Sequence, residues 1–157
     1  LTRDVTHVPF LVREPGGSAS THDGFVEAST DLFSTILGVA GLSPPDHAVG
    51  RDILAEDWSP PNMCLSESAH IGIYEIAVRD HEWLYIYRCK MDSLSGEVLP
   101  NTDLDNFLFR AAAYPRLENY EENLADTERN QVERLRKIAW NHAFNTTRYF
   151  DDRALLG

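Results

Sequence analysis

The first apolar stretch of the chain is Val8-Pro9-Phe10-Leu11-Val12, followed by Arg13-Glu14-Pro15-Gly16-Gly17. A nearly all-apolar run ending in a Pro-Gly-Gly breaker predicts a short buried strand running into a loop. Gly16 to Asp23 is small and polar, with Ser18, Ser20 and Thr21, and reads as that loop. Ser29-Thr30-Asp31 then offers three residue types that cap free N–H groups in a first helical turn. Leu32, Phe33, Ile36, Leu37 and Ala40 follow at helical spacing and predict one broad apolar face turned to a core. Gly41 stands where a left-handed residue ends a helix, and Pro44-Pro45 prevent continuation. One strand and one helix cannot cover their own apolar faces, so this portion reads as a fragment of an α/β layer.

Asp46 to Met63 is punctuated by Gly50, Pro60 and Pro61 and is expected to be loop-rich. The period then changes. Ile71, Ile73, Ile76 and Val78 form a β-rich run, interrupted by Arg79-Asp80-His81-Glu82 and resumed by Trp83-Leu84-Tyr85-Ile86-Tyr87. Two β-branched and aromatic runs around a polar turn predict a hairpin, to which Leu104 to Phe109 adds a third strand. Asp126 or Thr127 is placed to cap a long terminal helix whose one face carries Val132, Leu135, Ile138, Ala139 and His142. The expected domains are residues 1–62, the end of an α/β domain, and residues 63–157, an antiparallel-sheet subdomain with a terminal helix.

Composition narrows the class. With 157 residues, 43% of them hydrophobic and 25% charged, the chain is long enough and apolar enough to bury a core. No apolar run approaches the roughly 20 residues that span a bilayer. The opening Leu1-Thr2-Arg3-Asp4 has no apolar segment of a signal peptide, and none is expected in these residues. A formal net charge of -11 repels phosphate backbones and anionic lipid surfaces, so neither nucleic acid nor membrane is an expected partner. Cys64 and Cys89 are compatible with one disulfide or with two buried thiols.

Candidate chemistry is sparse. His7 lies near Asp4 and Arg3, a grouping that could serve proton transfer or hold an anion, yet a single histidine at a strand edge is usually structural. His22-Asp23 falls in the Ser/Gly loop, and His47, His70, His81 and His142 have no partners at ligand spacing. The acidic pairs Asp151-Asp152, Glu121-Glu122 and Asp103/Asp105 lack the alternation and glycine of a cation loop, and read as solvated charge. Asn145-Thr146-Thr147 has the form of a glycosylation sequon. No zinc-protease, nucleophile-elbow or phosphate-loop motif is present.

Taken in order, several segments resemble the C-terminal region of sulfatases of the alkaline phosphatase superfamily. Thr6 to Gly16 is similar to that family's V-P-L-I-V-R-x-P-G strand, and Ser29 to Leu42 to its V-D-L-x-P-T-L-L-D-L-A-G-L helix. Pro44-Pro45 with Gly50-Arg51-Asp52-Ile53-Leu54 resembles the following P…G-x-S-L. Ala77 to Ile86 resembles A-V-R-T-G-x-Y-K-Y-I, and Leu108-Phe109 to Tyr114-Pro115 with Glu122-Asn123-Leu124-Ala125 echoes L-Y-D-L-x-x-D-P…E-N-L-A. Four features depart from the pattern. Ser34 replaces a proline, Leu84 replaces a lysine at a position read as structural, Tyr114-Pro115 stands for D-P, and the Arg116 to Glu122 loop is longer than usual.

The resemblance implies an alkaline-phosphatase-like α/β sheet domain of which this chain is the C-terminal part, followed by a small antiparallel sheet packed with a C-terminal helix. It implies sulfuric ester hydrolysis by the parent protein, acting on a small-molecule or glycan sulfate ester. In such enzymes a formylglycine made from C/S-x-P-x-R attacks sulfur while calcium neutralises the ester. This chain contains no C/S-x-P-x-R; Cys64 is followed by Leu65-Ser66-Glu67. The nucleophile and calcium ligands are expected upstream, in a missing N-terminal portion, and no catalytic, cofactor-binding or metal residue is assigned here. His7 and Arg3 come nearest to where the family's metal loop would return, and neither carries a role. The chain alone is expected to be inactive. Two other readings remain: a phosphodiester or phosphonate ester hydrolase of the same superfamily, and a non-catalytic interaction module.

Overall fold

The computed structural model describes residues 8–13, 17, 21, 24–111 and 122–154. Within them the elements are α1 (Ala28–Val39), β1 (Met63–His70), β2 (Ile73–Asp80), β3 (Trp83–Met91), β4 (Val98–Arg110) and α2 (Arg129–Ala154). They divide into two compact units, one within Val8–Cys64 and one within Leu65–Gly157. The chain is a mixed α/β protein with a curled antiparallel sheet and a C-terminal helix. Arg3, His7, His22-Asp23, Glu121 and Tyr114-Pro115 lie outside the described residues.

The sheet unit contains the apolar core. Its strands run in the order β1-β2-β3-β4, with β2–β3 and β3–β4 antiparallel. Alternation along β3 sends Trp83, Tyr85, Tyr87 and Cys89 to one face and Leu84 and Ile86 to the other. The helix α2 covers the first face: Trp140 tilts against Tyr87 at 5.8 Å between ring centroids. Of the predicted apolar face of α2, Leu135 and Ala139 are fully buried and Val132, Ile138 and His142 half-buried; Ala143, outside that prediction, is buried as well. On the second face, Leu84 and Ile86 form a cluster with Ala77 and Phe109, against which Phe107 packs. The sheet is thus apolar on both faces, the second cluster being drawn from the strands of the curled sheet itself.

The predicted hairpin is present, with shifted limits. Asp80 belongs to β2, and the turn is tightened by its Oδ1, which accepts the N–H groups of Glu82 and Trp83 at 2.9 and 2.7 Å. Ile71, expected in a strand, instead occupies a turn with φ 44° beside Gly72 at φ 76°. Two consecutive positive φ values match the twist of a tight hairpin joining β1 to β2. The third strand runs well beyond Leu104–Phe109. It is carried through an irregularity at Asn101 (φ 59°), where register with β3 shifts between Cys89 and Met91. β1 was not foreseen, because Met63–His70 is mostly small and polar. The expected caps of α2 are also corrected. Its first bonds go from the Gln131 and Val132 N–H groups to the Glu128 carbonyl, and the Thr127 hydroxyl donates to Leu124 O.

The outer edge of β4 is occupied by the segment leading into α2. Asn123 Oδ1 accepts the Leu108 N–H at 2.9 Å and its Nδ2 donates to Asn106 O at 3.0 Å, while the Leu124 N–H reaches Leu108 O at 2.8 Å. One amide side chain thus stands in for a neighbouring strand. Asn123→Ala is expected to cost about 1–3 kcal/mol, the loss of an acceptor and a donor at a partly buried edge. Urea unfolding checks the stability, and light scattering should show association through the opened edge.

The helix–loop unit departs furthest from expectation. Val8–Val12 is irregular, with Val8, Leu11 and Val12 exposed, so the predicted buried strand is not formed among these residues. A lone extended segment of this kind has no ladder to join, and hydrophobicity alone does not supply one. Between Val39 and Met63 no helix or strand intervenes, as the Gly/Pro punctuation predicts.

Candidate functional site

The element that points outward from its own fold is α1. It begins at Ala28 with Glu27 as its cap residue, one turn earlier than Ser29-Thr30-Asp31 suggested, and Glu27 makes no side-chain cap bond. Asp31 reaches back instead: its Oδ2 accepts the Glu27 N–H at 3.0 Å. The end is as predicted. Gly41 at φ 71° donates to Gly38 O and Leu42 donates to Leu37 O, the paired bonds of a left-handed helix stop.

The buried face of α1 is polar. Asp31, Ser34 and Thr35 are 3%, 1% and 3% exposed, whereas Leu32, Phe33, Ile36 and Val39 are 44%, 50%, 59% and 66% exposed. This reverses the predicted orientation, in which Leu32, Phe33, Ile36 and Leu37 faced inward. The reason lies in residues 50–54. Ser34 Oγ donates to Gly50 O at 2.8 Å, Asp31 Oδ1 accepts the Arg51 N–H at 2.9 Å, and Thr35 Oγ1 accepts the Ile53 N–H at 3.1 Å. Thr35 Oγ1 also donates to Asp31 O at 2.7 Å. A loop strand pressed against a helix brings unpaired backbone groups with it, and short polar side chains at i, i+3 and i+4 satisfy them. That spacing is present in the sequence as Asp31, Ser34 and Thr35, of which only Asp31 suggested a role, as a cap. The joint needs close approach: a Cβ on Gly50 would overlap the Thr30 carbonyl oxygen.

Ser34 stands where the resembled sulfatase pattern has proline. Its hydroxyl makes the Gly50 bond, which a proline side chain cannot make. Asp31→Ala should leave the Glu27 and Arg51 N–H groups without their carboxylate and cost about 2–3 kcal/mol. Asp31→Asn, keeping one acceptor oxygen, should cost less. Hydrogen exchange of the α1 amides measures both.

Several of the remaining candidates have partners within the sheet unit. Asp103 accepts from the Tyr87 hydroxyl and pairs with Arg136 of α2, and Asp105 pairs with Arg88 at 3.3 Å, so neither is simply solvated charge. His142 does acquire a partner: its Nε2 lies 3.5 Å from Glu67 Oε2, which also accepts the Tyr74 hydroxyl at 2.6 Å. The His142 contact first, then Tyr74, draw the Glu67 carboxyl below its usual range against the opposing effect of burial. Arg134 holds Asp80 at 2.6 Å. These contacts fasten α2 to β1, β2 and β4. Cys64 and Cys89 are not joined in a disulfide; Cys89 is buried, as the thiol alternative expects, whereas Cys64 is half-buried, and burial pushes the Cys89 thiol up. Asn145 and Asp151-Asp152 fall within α2.

Among the described residues, no group of three or more His, Cys, Asp or Glu side chains is placed to hold a metal ion. No helix among the described residues is long and apolar enough to cross a membrane. Compared with models of known protein families and with curated proteins, the sequence matches none.

Proposed function

We propose that the chain is the C-terminal scaffold segment of a sulfatase-type sulfuric ester hydrolase. The observation that carries this reading is the outward apolar face of α1. A helix whose polar side is consumed by its own loop cannot roll over to bury Leu32, Phe33, Ile36 and Val39. Those side chains are worth roughly 1.5–3 kcal/mol each when fully buried, so the sequence is suited to a further apolar layer. In this reading the layer is a sheet face supplied by the rest of the parent polypeptide.

One further feature supports it. The helix motif and the G-x-S-L-like segment, recognised separately in sequence, are hydrogen-bonded to one another. Leu84, where the family pattern has lysine, is buried in the Ala77, Ile86 and Phe109 cluster and remains a departure from that pattern. The parent would supply the formylglycine and the calcium ligands, and the cations that gather an anionic sulfate ester against this segment's net charge of -11. No reaction step is assigned to residues of this chain.

The test is expression of the complete reading frame beside residues 1–157 alone, assayed with aryl sulfate and with an aryl phosphodiester. Sulfate release by the complete product, and none by the isolated chain, is expected. Phe33→Asp with Ile36→Asp should abolish soluble complete product while leaving the isolated chain's sheet unit folded. Turnover by pure 1–157, or a complete product active only on the phosphodiester, would overturn the proposal.

A further inference from the structure

We draw no further inference here: the strongest candidate, the pair of exposed aliphatic side chains Ile71 and Leu94 on the adjoining β1–β2 and β3–β4 turns, is a surface patch with nothing in the structure to show what covers it.

Discussion

Raising the pH above about 10 is expected to unfold the sheet unit steeply, with the tyrosinates of Tyr74, Tyr85 and Tyr87 appearing only as the fold is lost. Tyr74, Tyr85 and Tyr87 are 6%, 0% and 1% exposed on the face under α2. Burial is the main cause that pushes all three hydroxyls above the usual tyrosine range. Hydrogen bonding to the Glu67 and Asp103 carboxylates adds to this for Tyr74 and Tyr87, and the Asp103 charge adds to it for Tyr85 against the opposing Arg136. A folded-state pKa above the unfolded one gives stability that is complete below the unfolded pKa. It is lost as pH climbs toward the folded value. Each proton then counts about 1.4 kcal/mol per pH unit, and three count about 4 kcal/mol per unit. Against a typical domain stability of about 5–15 kcal/mol, two or three pH units are enough. The Cys89 thiol, also raised by burial, steepens the same limb.

In a variant with Tyr114, Tyr120 and Tyr149 replaced by Phe, which leaves only the three buried tyrosines, tyrosinate absorbance and far-UV circular dichroism should therefore change together. Tyr85→Phe should flatten the stability-versus-pH slope by one proton. It leaves Asn106 Oδ1 without the 2.6 Å bond it accepts, a cost of about 1 kcal/mol at neutral pH. Tyrosinate forming smoothly around pH 10 in a still-folded sheet would show that these hydroxyls are not sequestered as described.

Legibility in the sequence tracked the kind of signal each segment carried. β2 and β3 were legible in their β-branched and aromatic runs, β4 only in its Leu104–Phe109 part, and α2 in Val132, Leu135, Ile138, Ala139 and His142 at helical spacing. β1 was invisible, since Ser66, Glu67 and Ser68 carry no apolar period and the strand is held by sheet order, not by composition. Ile71 misled for the opposite reason: its β preference is real, but the hairpin needs a left-handed residue there. The deepest misreading concerned α1. Periodicity says which residues share a face and nothing about which face has a neighbour. Here the neighbour is residues 50–54, whose bare N–H and C=O groups select Asp31, Ser34 and Thr35 over Leu32 and Phe33. Polar contacts of that kind are set by backbone approach, which a one-dimensional pattern does not encode.

Gly50→Ala is expected to dismantle the helix–loop unit while sparing the sheet unit. The added methyl meets backbone, the Thr30 carbonyl oxygen, so no side-chain rotamer can relieve the overlap and the loop must withdraw from α1. Withdrawal stretches three bonds at once: Ser34 to Gly50 O, Arg51 to Asp31 and Ile53 to Thr35. At a net 0.5–1.5 kcal/mol each, their loss amounts to about 3 kcal/mol before any strain is counted. Apolar burial offsets little of that loss: the fully buried side chains of the unit, among the described residues, are Asp31, Ser34 and Thr35, while Leu37, Ile53, Leu54 and Trp58 are half-buried. A 12-residue helix released from its contacts is marginal in water. Hydrogen exchange should show α1 amides losing most of their protection while those of β3 keep theirs. If α1 stays protected in the variant, the polar joint is not what holds it. In the proposed parent, with Leu32, Phe33, Ile36 and Val39 covered by a sheet, the same substitution should leave α1 helical and lower the overall stability by a similar amount. Comparing the two backgrounds separates the joint from the layer: equal loss of α1 protection in both would mean that nothing in the parent covers the apolar face.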